Sequence, residues 1–215
     1  MRAICVVLGL ATASGPLGAQ ALAPGAAAAV VQTHLLSQVA SGSARFSGVL
    51  AGGQGVLSVG RVGLALSYVQ GRVAPDGASG PGYDLVEGSV LLGARPVPWL
   101  TVSGGPHARA YGLLSGTERW LFWELRVRAA GAWVGSAARG YAELWRAVSA
   151  SVNVPETFDH AQGAEVGMAV HFARAPLEVR LAYRLDHAVL RATGGPGLRL
   201  ETVDGVLVAL GVSGR

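Results

Sequence analysis

The sequence predicts an all-β fold, a closed antiparallel up-and-down barrel of about ten strands that cross a lipid bilayer. Residues 177–190 alternate apolar and polar side chains, which is typical of a strand because its successive side chains point to opposite faces. An ordinary strand has about 5 to 6 residues, and a strand that spans a bilayer has about 9 to 11. This run is long enough to span a bilayer. Similar runs, separated by Gly- and Pro-rich segments, recur along much of the chain. Strand periodicity, strand length and recurrence together predict this transmembrane β-barrel.

The composition argues against several other classes of protein. Of the 215 residues, 51% are hydrophobic and 14% are charged, and all 17 basic residues are arginines. The net charge of +4 is small and the arginines are scattered, which argues against a nucleic-acid partner. After the first 20 residues, no apolar stretch reaches the about 18 residues of a transmembrane helix.

Residues 1–20 match a secretory signal peptide. Arg2 supplies the positive charge, residues 4–13 form the apolar core, and small residues at 18–21 offer a cleavage site. A short buried helix is the alternative. The one cysteine, Cys5, lies in this segment, so the mature chain would contain neither a disulfide nor a reactive thiol.

The pattern of alternation predicts the strands in order. Residues 21–42 are Ala-rich and weakly patterned, so we expect a lead-in segment there and the barrel over residues 43–215. Residues 43–60 indicate a β-hairpin around Gly52 and Gly53, which would contribute two strands. Eight further runs follow, at residues 62–72, 84–95, 99–111, 119–134, 139–150, 162–172, 177–190 and 198–213. Eight strands behind an N-terminal segment are the alternative, because that number is also even.

The connections between the runs also alternate in length. Short turns are expected at residues 60–61, 96–98, 135–138 and 173–176, and longer loops at 73–82, 112–118, 151–161 and, with intermediate length, 193–197. Short turns at one rim and long loops at the other are typical of outer-membrane barrels. Pro106 lies inside one run and predicts a bulge or local break, because proline cannot donate to the strand ladder.

Alternation alone does not show which face of the sheet lies inside. A soluble barrel packs its apolar face inward, whereas a membrane barrel turns that face outward. The signal peptide, the strand length and the balanced charges of the polar face favour the membrane arrangement, in which arginines would pair with carboxylates across a narrow lumen. The predicted polar network of the lumen consists of Glu87, Arg95, His107, Arg109, Glu124, Arg126, Arg128, Glu143, Glu165, His171, Glu178, Arg180, Arg184, Asp186, Arg199 and Glu201.

Residues 43–215 resemble, by this strand pattern, the small outer-membrane β-barrels of diderm bacteria. The resemblance implies a place in the bacterial outer membrane, with membrane lipid and the barrel-insertion machinery as partners. It also implies a role in envelope structure, adhesion or narrow-channel transport, since only a few such barrels modify lipids. One departure is the end of the chain, Val212 to Arg215, because many such barrels end in an aromatic residue that the machinery recognises.

The motifs give little support for catalysis. The five histidines have no metal-ligand spacing, so we expect neither a metal nor another cofactor. His187 has the parity of the lipid face near the long loops and could act as an acid or base, but no serine partner is evident. Tryptophans near strand ends are typical of the aromatic belts at membrane interfaces. The chain has five tryptophans near strand ends or within strands, Trp99, Trp120, Trp123, Trp133 and Trp145. Trp99 and Trp145 have the parity of the lumen face, which weakens this interpretation for these two.

The sequence therefore favours a non-enzymatic barrel with a polar lumen that is either filled by its own charges or open as a narrow channel. A lipid-modifying enzyme acting at the outer rim through His187 is one alternative. A soluble secreted β-sandwich is the other, because mixed charges also suit a solvated outer face.

Overall fold

The structure, a computed structural model, is a closed barrel of ten antiparallel strands. It describes residues 22–77, 81–114, 116–134, 137–172, 174–193 and 197–213. The strands are β1 (Leu22–Val39), β2 (Gly42–Val59), β3 (Val62–Pro75), β4 (Tyr83–Val97), β5 (Leu100–Leu113), β6 (Gly116–Val134), β7 (Ala138–Val152), β8 (Thr157–His171), β9 (Leu177–Arg191) and β10 (Leu198–Ser213). The predicted fold class and strand number are confirmed, and the predicted signal peptide lies outside the described residues.

Each strand pairs with the next along the chain, and β1 pairs with β10 to close the barrel. The strand ends joined by the β2–β3, β4–β5, β6–β7 and β8–β9 connections lie at one rim, together with the start of β1 and the end of β10; we call this the turn rim. The strand ends joined by the β1–β2, β3–β4, β5–β6, β7–β8 and β9–β10 connections lie at the opposite rim, which we call the loop rim. Among the residues described, no helix is long and apolar enough to cross a membrane.

The N-terminal part of the prediction is wrong in two places. Residues 22–39 are strand β1 rather than a lead-in segment, and Gly42–Val59 is one continuous strand rather than a hairpin. The hairpin turn falls at residues 40–41, so the expected ten strands are present with a different N-terminal pair. Alanine and glycine hide the alternation here because both faces of β1 carry small side chains. Gly52 is therefore not a turn residue. Glycine is required at this position inside the strand because a Cβ there would overlap the carbonyl oxygen of Tyr68 on β3.

Two of the predicted long loops are also mostly strand. β5 and β6 extend to residues 113 and 116, and β7 and β8 extend to residues 152 and 157, so these two connections are short. The polar residues near the loop rim are typical of loops. In the structure they instead continue the inward–outward alternation of each strand, on the loop-rim side of its apolar part. The break expected at Pro106 agrees with the β4–β5 pairing, which omits Val90 and Leu91 opposite Gly105 and Pro106.

The two faces of the barrel follow the predicted parity. Outward-facing apolar side chains include Leu66, Leu92, Leu125, Leu144, Leu181 and Val208, all of them exposed. Inward-facing side chains on the same strands include buried charges such as Glu87 and Asp186. Arg146 is an exception, since it points outward on β7 opposite Leu125 of β6.

Candidate functional site in the barrel interior

The interior of the barrel has different contents at its two ends. Near the loop rim, buried apolar side chains form a cluster that we call the apolar plug: Leu35, Leu50, Val73, Leu85, Tyr111, Trp120, Phe122, Trp145, Ala161, Ala188, Leu190 and Val203. Most of these residues lie at the loop-rim ends of their strands, as Val73 does at the end of β3 and Tyr111 at the end of β5. Near the turn rim the interior is an open polar cavity, and ion pairs lie between the plug and the cavity and also on the loop-rim side of the plug.

Aromatic rings dominate the apolar plug. Trp120 is 1% exposed, and its ring meets those of Tyr111 and Phe122 edge to face, with centroids 5.7 and 6.0 Å apart. Phe122 also packs against Phe158, with ring centroids 5.8 Å apart. Such offset geometry is the favourable one for aromatic pairs, and each large apolar side chain removed from water contributes about 1.5–3 kcal/mol. The plug therefore keeps its own aromatic side chains out of contact with water.

The central ion pairs join opposite walls of the barrel. Arg109 of β5 donates from Nε to Glu87 of β4 at 2.5 Å and from Nη2 to Asp186 of β9 at 2.8 Å. Arg184 of β9 also pairs with both carboxylates, 3.0 Å from Glu87 and in close contact with Asp186. Trp145 donates its indole N–H to Asp186 at 2.8 Å. Two arginines thus balance two buried carboxylates, and we call these four residues the central quartet.

A second group of charges continues along β5 to β8. Arg126 pairs with Glu124 and Glu143 at 2.5 and 2.9 Å, and His107 lies 3.2 Å from Glu124. Arg128 lies farther from its carboxylates, 3.9 Å from Glu143 and 4.0 Å from Glu165. Its guanidinium instead stacks over the ring of Tyr141 at 3.7 Å, while the Tyr141 hydroxyl donates to Glu165 at 2.6 Å.

A third group of charges borders the plug on its loop-rim side. Arg199 pairs with Glu201 at 2.5 Å and with Glu118 at 2.9 Å, and Tyr111 donates its hydroxyl to Glu201 at 2.8 Å. The indole N–H of Trp120 donates to Glu118 at 2.8 Å. Sequence reasoning missed Glu118 because it lay in a segment expected to be a loop. The alternation of Glu118, Trp120 and Phe122 along β6 is the signal that could have found it.

The remaining residues of the predicted network lie nearer the turn rim. Arg180 donates from Nη2 to Gln54 across the lumen at 2.6 Å, and His171 lies 3.2 Å from Glu178. Arg95 is exposed at the rim, where its backbone N–H donates to the carbonyl of Arg61. In the part of the chain that the structure describes, Arg95 forms no ion pair, so it does not join the network.

The turn-rim half of the lumen is a cavity of about 540 Å³, which we call the inner cavity. Its wall on β2 to β5 carries small and hydroxyl-bearing residues, among them Ser58, Ser67, Ser89, Thr101 and Ser103. Its wall on β6 to β9 carries most of its charges. None of the apolar plug residues lines this cavity. The cavity therefore ends on the turn-rim side of the plug, at the level of Glu87, His107 and Arg184.

The tryptophans divide between the two faces. Trp99 at a turn and Trp123 on β6 are 57% and 53% exposed, which suits an interfacial position. Trp120 and Trp145 point inward and are buried, so the expectation of an interfacial position is wrong for Trp120. The side chain of Trp133 lies outside what the structure describes.

His187 points outward and does not reach the lumen. Its Nδ1 lies 3.3 Å from the hydroxyl of Thr202, and its ring centroid is 6.3 Å from that of His160. Within the described residues, no carboxylate is hydrogen-bonded to His187, and no cluster of three or more His, Cys, Asp or Glu could hold a metal ion. A nucleophile, a base and an orienting acid are therefore not assembled around this histidine.

No family model matches the sequence, and no curated protein matches it. The structure is similar to that of the outer membrane protease OmpT from Escherichia coli, with a TM-score of 0.56 and 7% identity over 89% of this chain and 96% of that chain. Neisserial surface protein A gives a TM-score of 0.36 at 12% identity, over 89% of this chain and 96% of that one. The toluene transporter TodX of Pseudomonas putida gives 0.34 at 9% identity, over 90% of each chain. At these identities the likeness concerns the fold. The chain therefore has a closed antiparallel β-barrel fold similar to that of the outer membrane protease OmpT.

Proposed function

We propose that this chain is a structural protein of the bacterial outer membrane, closed to solutes and without enzymatic activity. The apolar plug is the observation that carries the proposal. A narrow channel needs a continuous polar path, whereas this lumen changes from a polar cavity to buried aromatic and aliphatic side chains. Trp120, Phe122 and Leu85 are at most 1% exposed, so these side chains are out of contact with water.

The buried ion pairs support the same closed state. Glu87, Arg109 and Asp186 are at most 6% exposed, and each carboxylate contacts two arginines. Charges that line a conducting path must exchange partners with water and ions, whereas these charges bind one another. In this arrangement the arginines and carboxylates fill the middle of the lumen and brace strands β4, β5 and β9 against each other.

The outer membrane is the proposed location. The outward face exposes leucines and valines on every strand except β5, which suits contact with lipid rather than with water. The secretory signal predicted for residues 1–20 would take the chain out of the cytoplasm. In a diderm host, we expect the protein in the outer-membrane fraction and a mobility shift between boiled and unboiled samples. Recovery from the soluble periplasm without that shift would contradict the location.

Conductance across a planar lipid bilayer tests whether the barrel is closed. We expect the wild-type protein to give no stepwise single-channel currents in molar salt. The matched variant carries Leu85→Ala, Trp120→Ala and Phe122→Ala, with folding checked by the same mobility shift. This variant should raise the conductance by opening a path through the plug. Ohmic single-channel steps from the wild-type protein would show that the lumen is a channel.

A lipid-modifying activity is the second candidate, favoured by the contact between His187 and Thr202 on the outward face. Threonine can serve as a nucleophile when a base lies beside it. The hydrogen-bonded carboxylate that would orient His187 is missing from the described residues, which is why we propose a non-enzymatic role.

A further inference from the structure

The inner cavity carries an excess of positive charge. Its lining includes seven arginines of the described chain, Arg61, Arg95, Arg126, Arg128, Arg139, Arg180 and Arg184. It includes four glutamates, Glu87, Glu143, Glu165 and Glu178. Because the plug closes the loop-rim side, a solute can enter only from the turn rim. There Arg95 and Arg139 are exposed, and neither forms an ion pair within the described residues. Clefts lined by one sign of charge concentrate solutes of the opposite sign.

Two arginines deeper in the cavity have unused hydrogen-bonding capacity. Arg180 donates from Nη2 to Gln54, but its buried Nε has no hydrogen-bond partner among the described residues. Arg128 stacks on Tyr141, and its carboxylate neighbours lie 3.9 and 4.0 Å away, beyond a short hydrogen bond. Arg128 on β6 stacks over Tyr141 of β7, and Arg180 lies two strands further on, on β9, so both arginines line the same side of the cavity. A buried N–H without a partner is costly, and an oxyanion supplies the acceptors that both groups lack.

The wall of the cavity on β2 to β5, which we call the hydroxyl wall, offers hydroxyl groups, and Thr101 on it is paired with Arg128 in the β5–β6 ladder. Ser67 and Ser89 share a hydrogen bond of 2.7 Å, and Ser103 and Thr101 line the cavity on the neighbouring strand β5. Glycine and alanine between them keep this wall flat and leave space in front of it, as at Gly63, Ala65 and Gly93. A volume of about 540 Å³ lies within the usual range of about 300–1,000 Å³ for small-molecule sites.

We propose that the inner cavity binds a small polar solute that carries an oxyanion, a phosphate or a carboxylate. The oxyanion lies between Arg128 and Arg180, and the hydroxyl wall contacts the polar remainder of the solute. Arg95 and Arg139 attract the solute at the turn rim. This inference goes beyond the proposed function, since binding in the cavity requires no passage through the barrel.

Titration calorimetry on the folded barrel in neutral detergent tests the site. The probes are pyrophosphate and citrate, which distinguish phosphate from carboxylate, and maltose as a neutral solute of comparable size. We expect one of the two anions to bind and maltose to give no heat. Arg128→Gln and Arg180→Gln should each weaken anion binding at least tenfold. The matched control is Arg45→Gln, because Arg45 is exposed near the loop rim.

Thiol labelling gives a second measurement that needs no arginine variant. The predicted mature chain has no cysteine, so Ser103→Cys introduces one reporter in the cavity wall. The bound anion should slow labelling of this cysteine by a charged thiol reagent at least threefold. Absence of binding by both anions, or equal weakening by Arg45→Gln, would overturn the proposal. A barrel that conducts ions yet binds the anion would overturn the closed-barrel proposal alone.

Discussion

Replacing Arg109 by methionine tests whether the central quartet holds the barrel together. Arg109 is 2% exposed and contacts Glu87 at 2.5 Å and Asp186 at 2.8 Å. Its removal leaves two buried carboxylates to share Arg184, so one negative charge is uncompensated. Removing one partner of a buried ion pair costs about 3–5 kcal/mol. We expect Arg109→Met to lower the free energy of unfolding by a value in that range.

A second substitution shows whether charge balance is the cause. Glu87→Gln in the Arg109→Met background leaves one arginine and one carboxylate, Arg184 and Asp186, which contact each other directly. The double variant should regain at least half of the stability lost, because no buried charge remains unpaired. Arg191→Met is the control, since Arg191 pairs with Asp159 at the exposed loop rim and its loss should leave stability unchanged.

Urea unfolding in lipid vesicles, followed by tryptophan fluorescence, measures these differences. Trp145 reports directly on the quartet through its hydrogen bond to Asp186. The reasoning is refuted if Arg109→Met loses less than about 1 kcal/mol, the size expected of an exposed pair. It is also refuted if Glu87→Gln worsens the Arg109→Met variant, because the carboxylate would then not be the group left in excess.

Two further predictions concern the outward face. Leu181, 46% exposed on β9, should face lipid, so Leu181→Arg should cost about 2–4 kcal/mol in the same urea assay, and no second change in the lumen should restore that loss; a neutral Leu181→Arg would place this face elsewhere than in lipid. His187→Ala and Thr202→Val should leave the lipid profile of the envelope unchanged by mass spectrometry, because the two residues lack an orienting acid; a lipid change that needs both would establish the enzymatic alternative.

The sequence was sufficient for the parity of the strands but not for the partners inside the barrel. Alternation over residues 177–190 predicts which side chains of β9 point inward, because the period of a strand is fixed at two. Which arginine meets which carboxylate depends on how far the strands are staggered when the barrel closes. Arg109 and Asp186 are 77 residues apart in sequence, and no local pattern relates them. Arg184 likewise pairs with Asp186 on its own strand and with Glu87, which is 97 residues away in sequence.

The apolar plug was missed for a different reason. Trp120 and Phe122 share the inward parity with Glu118 and Glu124, so an apolar core and an ionic layer occupy the same face of β6. The sequence pattern predicts that all inward-facing residues are polar and all outward-facing residues are apolar. In the structure, inward-facing residues near the loop rim form the apolar plug, and those nearer the turn rim carry most of the charges. This difference depends on how far each residue lies from the rim, which the alternation does not show.

The plug gives this barrel a source of stability that lipid cannot supply. Apolar residues on the outer wall gain little from one another within hydrocarbon, because lipid tails are as apolar as leucine. The tyrosine, tryptophan, phenylalanine and leucine side chains of the plug would instead face water in an open lumen. Their burial therefore draws on the hydrophobic effect as the core of a soluble protein does, and it persists whatever surrounds the barrel. Transfer from vesicles into detergent micelles should consequently leave the loop-rim half folded, with its amide hydrogens still slow to exchange.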